Sequence, residues 1–339
     1  MHLDNQTPFQ LAHTVLLDKQ AAEFLIVASK ATYSISENGK LVVAAPQEVI
    51  RAADEFYGEP GQSSIRHEAE LGTPKLATDV ALIGSAVAPQ PGTTSMDVGL
   101  RVGPVSKLVK VFGERRWQKS LIGFSISRPK PFDRVPLVYE HAYGGTDLSA
   151  KNPKDHANEP RNPVGRGFRS GKSELQFADT LLPQIEDPEN LLKRPGGGVS
   201  PQGFGFLGRD WEPRARFLGT YDQKWQDERM PLLPQDFDDR HYSAAHPDLT
   251  ARGYLKRGVP VEIIGCTRGG RVLFTLPDIE PIVTVCFGTI HQAVGMYLNT
   301  VLINTDAMKL TLLWKGGLNV HRRLRQISRI EARLTSERT

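Results

Sequence analysis

The sequence predicts a mainly β protein built of antiparallel sheets, sandwich-like or barrel-like, with little helix. Three observations predict it: polar and apolar residues alternate with a period of two in several short stretches, turn formers are abundant (31 Gly and 24 Pro in 339 residues), and sustained helical periodicity is scarce. From Phe24 to Ile35 an apolar run passes into alternation, with Ala31, Tyr33 and Ile35 set against Thr32 and Ser34. Glu37-Asn38-Gly39 then turns the chain into Lys40–Ala44, because Asn-Gly readily adopts the positive φ angles of a tight hairpin. Strands follow over Asp79–Ala88 and Met96–Val102, the latter with Met96, Val98, Leu100 and Val102 on one face and Asp97, Gly99 and Arg101 on the other. Lys107–Phe112 continues the series. Beyond Gly253 the pattern returns at Pro260–Cys266, Val272–Leu276, Ile282–Phe287, Tyr297–Ile303 and Lys309–Lys315, with Gly269-Gly270 and Asn304-Thr305-Asp306 as turns. Val320–Leu334 fits one more strand, since its even positions hold every apolar side chain except Ile327, and its other face is rich in Arg.

The middle of the chain differs. Between residues 146 and 240 about one residue in five is Gly or Pro, yet Arg161, Arg166, Phe168, Phe204, Phe206, Trp211, Arg214, Tyr221 and Trp225 are threaded through it. A flexible linker would be rich in Ser and Gly and poor in aromatics, so this stretch reads as ordered loop held on a β scaffold by Arg and aromatic contacts. The expected organisation is an N-terminal β region at 1–145, a loop region at 146–252 and a C-terminal β region at 253–339, together one integrated unit.

A formal net charge of +4 is too small to make nucleic acid the expected partner. Cys266 and Cys286 sit in apolar surroundings without CxxC spacing and read as free, buried thiols of a reducing compartment. The N-terminus lacks the basic segment of a signal peptide, and no apolar run is long enough for a membrane span, so a cytoplasmic protein without a membrane partner is expected.

The densest titratable cluster is Asp236-Phe237-Asp238-Asp239-Arg240-His241, with His246 close by. Its donors fall short of the ligand sets of zinc or calcium, and the expected role is a loop clamp in which the Asp side chains cap turns or pair with Arg240. Tyr139-Glu140-His141-Ala142-Tyr143 frames a carboxylate with aromatics, an arrangement that suits sugar rings, and Glu186 or Asp222 could supply the second carboxylate of a glycosidase. Asn162–Phe168 has close glycines and Arg166 but lacks the Lys-Ser/Thr of a phosphate loop. No complete catalytic set, metal site or cofactor motif is expected.

The ordered motifs resemble a family as a set. They run through Asn5-Gln6-Thr7-Pro8-Phe9, Lys30-Ala31-Thr32, Gly58-Glu59-Pro60, Ser63-Ser64 with Glu68, Thr78-Asp79-Val80 and Arg101-Val102-Gly103-Pro104. Phe112-Gly113, Arg116-Trp117, Pro136-Leu137, Tyr139-Glu140, Tyr143-Gly144-Gly145, Asn162–Phe168, Glu186-Asp187-Pro188 and Gly203-Phe204-Gly205 continue it. Trp211, Gly219-Thr220-Tyr221-Asp222, Trp225, Pro231-Leu232-Leu233-Pro234, Asp236-Phe237-Asp238, Asn299-Thr300-Val301 and Leu313-Trp314 complete it. From Asn5 to Lys315 the chain resembles a bacterial family first catalogued as a domain of unknown function and associated with type VI secretion as effector adaptors or chaperones. It departs from that pattern at His67, where Tyr is expected, and at Leu249, where Gln is. The resemblance implies a non-enzymatic cytoplasmic protein that loads a toxic effector, bearing a PAAR or Rhs region, onto the VgrG spike.

Such an adaptor needs an interface, and Trp, Tyr and Arg are the enriched anchors. Trp211, Arg214, Tyr221 and Trp225 are the first candidates, followed by Arg166, Glu140, Tyr143, Asp236, Asp238 and Arg240. A sheet edge that accepts a partner strand is a second mode of binding. The alternatives are a carbohydrate-active protein working through Glu140 and an anion or nucleic-acid binder using the Arg-rich C-terminal face.

Overall fold

The computed structural model describes residues 1–121, 123–170 and 178–335. The N-terminal part contributes β1 (His2–Asn5), β2 (Gln10–Leu17), β3 (Glu23–Ile35), β4 (Leu41–Val43), β5 (Asp79–Ile83), β6 (Ser95–Val102) and β7 (Val105–Phe112). The loop-rich middle adds the short β8 (Ile185–Glu186) and α1 (Gln223–Glu228), the single α-helix among the described residues. The C-terminal part supplies β9 (Pro260–Ile264), β10 (Arg271–Thr275), β11 (Pro281–Phe287), β12 (Ile290–Val294), β13 (Tyr297–Asn304), β14 (Lys309–Asn319) and β15 (Ile327–Leu334). No described helix is long and apolar enough to cross a membrane.

These strands make three principal sheets, and each draws on both ends of the chain. The largest runs β2-β3-β14-β13-β5 with β4 also on β3; the second runs β8-β7-β6-β9-β10; the third runs β1-β15-β11-β12. None closes into a barrel among the described residues. β3 is an interior strand, buried on both faces from Leu25 to Tyr33, which is why its sequence begins as a continuous apolar run. β14 lies antiparallel along it from Phe24 to Ser34. β6 carries the alternation that the sequence shows and pairs with β7 as a hairpin: Val98, Leu100, Val102, Val105, Val109 and Val111 point into the core, and Gly103 takes a φ of +55° in the turn. A continuous cluster of buried apolar side chains from all three sheets forms the main core.

Five features depart from the sequence reading. β5 pairs parallel with β13, and β1 parallel with β15. A parallel pair needs a long crossover, which the chain between β5 and β13 supplies, and short-range alternation says nothing about so distant a partner. Asp79–Ala88 breaks at Gly84, whose φ of +158° sets Asp79–Ile83 and Ser85–Val87 into different sheets. Val320–Leu334 is a strand only from Ile327, because Arg322 adopts a φ of +61° and Leu324–Gln326 is a 3-10 turn. A register shift opposite Cys286 and Phe287 lets Ile327 face inward along with Ile330 and Ala332. Finally, β1, β2 and β12 carry weak alternation in sequence; every residue of β2 up to Leu16 is half-buried.

Candidate functional site

Three of the anchor candidates, Trp211, Arg214 and Tyr143, are buried. Trp211 is 5% exposed and meets Tyr139 edge-on at a centroid distance of 5.6 Å. The fit depends on glycine: a Cβ on Gly208 would lie 2.5 Å from the Trp211 indole nitrogen, and one on Gly203 2.7 Å from the Tyr139 ring. Arg214 is buried and donates from Nε to the His241 carbonyl (3.0 Å) and from Nη1 to the Leu207 carbonyl (2.7 Å), tying two loops together. Tyr143 is buried against Phe168, with ring centroids 6.4 Å apart. Asn162 Nδ2 donates to the carbonyls of Tyr139 and Tyr143 at 2.8 and 2.9 Å, so the Asn162–Phe168 motif braces the aromatic segment from behind. The expectation of partner anchors at Trp211, Arg214 and Tyr143 is therefore corrected: their surfaces are spent on the chain's own loops.

The carboxylates named for the glycosidase reading each have hydrogen-bond partners within the chain. The Glu140 carboxylate accepts the Ser64 amide at 2.7 Å and the Ser64 hydroxyl at 2.8 Å, while Arg166 Nε donates to the Glu140 carbonyl at 2.8 Å. Glu186 is buried, ion-paired to Arg115 and hydrogen-bonded to the Leu192 amide at 2.6 Å; burial pushes its carboxyl up against the pull of Arg115. Asp222 caps α1 by accepting the Trp225 amide at 2.8 Å. Each carboxylate has a positioning task of its own.

The acidic cluster is the clamp that its sequence suggests. Asp236 accepts the amide and hydroxyl of Thr220 at 3.0 and 2.8 Å. Asp238 caps the 3-10 turn Asp239–Tyr242 and binds the Arg240 guanidinium at 2.6 and 2.9 Å, and Arg240 holds its carboxyl down to about 2. That guanidinium lies 4.3 Å above the Phe217 ring. His241 is buried beside Phe237, and His246 sits with Lys107 and Asp248.

The aromatic candidates that stay accessible, Tyr221 and Trp225, lie in a lobe at residues 218–236. Tyr221 and Trp225 stack edge-on at 4.7 Å across the start of α1; Tyr221 is 47% exposed and nearby Met230 is 65% exposed. Trp225 is half-buried and fixed by its indole N–H donating to the Leu232 carbonyl at 2.8 Å. Arg229 donates to the Leu233 carbonyl and, from Nη2, to the Lys19 carbonyl at 2.8 Å, while the Lys19 ammonium donates to the Phe237 carbonyl. Lys19 belongs to the turn between β2 and β3, so the lobe stands beside β2. Among the described residues β2 pairs only with β3, which leaves one row of its peptide groups without a strand partner, and Leu17 at its end is 53% exposed. The aromatic lobe is thus tied to the turn that follows the open edge strand β2.

Sequence reasoning missed a buried polar hub. Lys75 is ion-paired with Glu68 and, at 2.7 Å, with Asp79, and donates to Thr300 Oγ1 at 3.1 Å. Asp79 also accepts the Ala244 and Ala245 amides at 2.6 and 3.2 Å and the Thr250 hydroxyl at 3.1 Å. Burial works against the Lys75 ammonium, but the Asp79 and Glu68 carboxylates hold its pKa above the ordinary lysine value. The motifs around Glu68, Thr78-Asp79-Val80 and Asn299-Thr300-Val301 converge here. Their spacing of more than two hundred residues hides the association in sequence.

No curated protein matches the chain, and no solved structure does. A family model described as an uncharacterized protein conserved in bacteria (DUF2169) matches residues 20–315, which includes the hub, the clamp and the aromatic lobe, and the chain belongs to that bacterial family.

Proposed function

We propose that the protein is a non-enzymatic adaptor or chaperone that binds a secreted toxic effector, one bearing a PAAR or Rhs region, and promotes its loading onto the VgrG spike of a type VI secretion system in the bacterial cytoplasm. The observation that carries this reading is the half-buried Trp225 stacked on exposed Tyr221, with exposed Met230, in a lobe tied to the turn that follows the edge strand β2. Tyr and Trp are interface residues because each buries a large area at a small conformational cost, Met because its flexible thioether fits irregular surfaces, and an unpaired strand edge offers hydrogen bonds to any extended segment. The motif resemblance supplies the identity of the partners. The occupation of Glu140, Asp236 and Asp238 by local hydrogen bonds supports binding over catalysis.

Co-expression of the full chain with a PAAR- or Rhs-bearing effector and with VgrG, followed by size-exclusion chromatography, tests the reading. The wild type is expected to co-elute with effector or spike, and to keep the complex between about 50 and 200 mM salt, where a polyanion binder would lose affinity steeply. The double variant Tyr221→Ala, Trp225→Ala is expected to lose the complex and keep its Tm. Separate elution of the wild type from both proteins overturns the proposal.

A further inference from the structure

On the third sheet three metal-binding side chains converge outside the surface described above. The antiparallel register sets Cys286 of β11 directly opposite His291 of β12 on one side and Arg329 of β15 on the other. Glu331 lies two residues beyond Arg329 and so shares its face. Val283 and Val285 point into the core, so Cys286, of opposite parity, puts its thiol on the outer face, where it is buried beneath its neighbours. Cys286 Sγ is 3.8 Å from His291 Nδ1, and the sulfur, the imidazole nitrogen and a Glu331 carboxylate oxygen all lie within 4.8 Å of one another.

We propose that Cys286, His291 and Glu331 form a zinc-binding site. A zinc ion about 2.3 Å from sulfur and about 2.0 Å from nitrogen sets those two atoms about 3.5 Å apart, so the cross-strand pair is already spaced for it to within a few tenths of an ångström. Rotation of the Glu331 side chain brings in the oxygen. A mixed sulfur, nitrogen and oxygen set favours zinc over magnesium or calcium, which take oxygen ligands. Arg329, opposite Cys286 in the register, donates from its guanidinium to Glu331 Oε1 and so supplies the outer hydrogen-bond partner that a ligating carboxylate ordinarily has. Binding replaces the Cys286 thiol proton, which passes to solvent, while neutral His291 coordinates through Nδ1. Water fills the fourth position. The ion ties the edge strand β12 to β15 across β11.

The test uses the untagged, reduced chain, titrated with zinc against a chromophoric chelator and, separately, with cobalt(II). Expected are one zinc per chain, a sulfur-to-cobalt charge-transfer band, and a Tm that rises with zinc. Cys286→Ser and His291→Ala are expected to lose the stoichiometric binding and the band, and Glu331→Gln to bind more weakly. His291 is exposed, so His291→Ala should keep the zinc-free Tm and serve as the variant with its fold intact. Zinc binding that survives His291→Ala, or a wild type that binds no more zinc than a chain carrying Cys286→Ser, His291→Ala and Glu331→Gln together, overturns the proposal.

Discussion

His67 packs into the chain with Nδ1 buried and no hydrogen-bond partner for it among the described residues. Burial, with Arg51 close by, lowers its pKa to about 4. Between that value and the ordinary 6.5 the unfolded chain binds a proton that the folded chain refuses, so stability falls as the pH drops through this window and is unaffected above it. A fall from 6.5 to about 4 is worth about 3 kcal/mol. His67→Phe should therefore flatten the acid limb: relative to pH 7, the wild type should lose up to about 3 kcal/mol more than the variant by pH 4, measured by urea unfolding across that range. The Lys75 hub makes the opposite kind of prediction, insensitive to pH near neutrality. Lys75→Ala leaves Glu68 and Asp79 buried without their cation and should cost about 3–5 kcal/mol, read as a lower urea midpoint. Neither role is visible residue by residue. A lysine four positions before an aspartate reads as a surface pair until the chain from 244 to 300 closes over it.

At the scale of elements, two tryptophans of the same loop region have different tasks. Trp211 fills the space between Tyr139 and Gly208, and its truncation should lower stability by about 3–5 kcal/mol. Trp225 lies on the lobe, half-buried and stacked on Tyr221, so its truncation should act on partner binding first. Parallel thermal melts and co-elution of the two single variants separate these outcomes. Leu17→Lys, at the exposed end of β2, should leave stability within about 0.5 kcal/mol of wild type and weaken any complex in which a partner strand extends that sheet. Unchanged co-elution of Leu17→Lys would place the partner on the lobe alone. Short strands such as β6, β7 and β13 were legible because one or both faces are dry and their apolar pattern is regular. β2 was not, because a half-exposed edge strand gains little from a strict pattern and shows a blurred one.

For the whole molecule, the pairing of β3 with β14, β5 with β13, β6 with β9 and β1 with β15 joins both ends of the chain in every principal sheet. A fragment ending at residue 252 keeps the loop region but loses seven of the strands named here, including the partners of β1, β5 and β6. It should fail to fold, giving no cooperative thermal transition, whereas the full chain should unfold in one step. The three stretches distinguished by composition differ in local structure and share one core.

The sequence by itself determined what depends on near neighbours: strands from alternation, the hairpin from Asn38-Gly39, the clamp from Asp236 to Arg240, and the family from the order of its motifs. Sheet membership, the parallel pairs, the burial of Trp211 and Arg214, the Lys75 hub and the approach of Cys286, His291 and Glu331 were decided by the tertiary structure. The physical reason is range. A turn or an alternating strand is set by sterics and solvent over a few residues, whereas a partner two hundred residues away is chosen by which faces can be buried together, and that choice decides whether an aromatic or a charge ends as a pin inside the protein or as a contact offered to another.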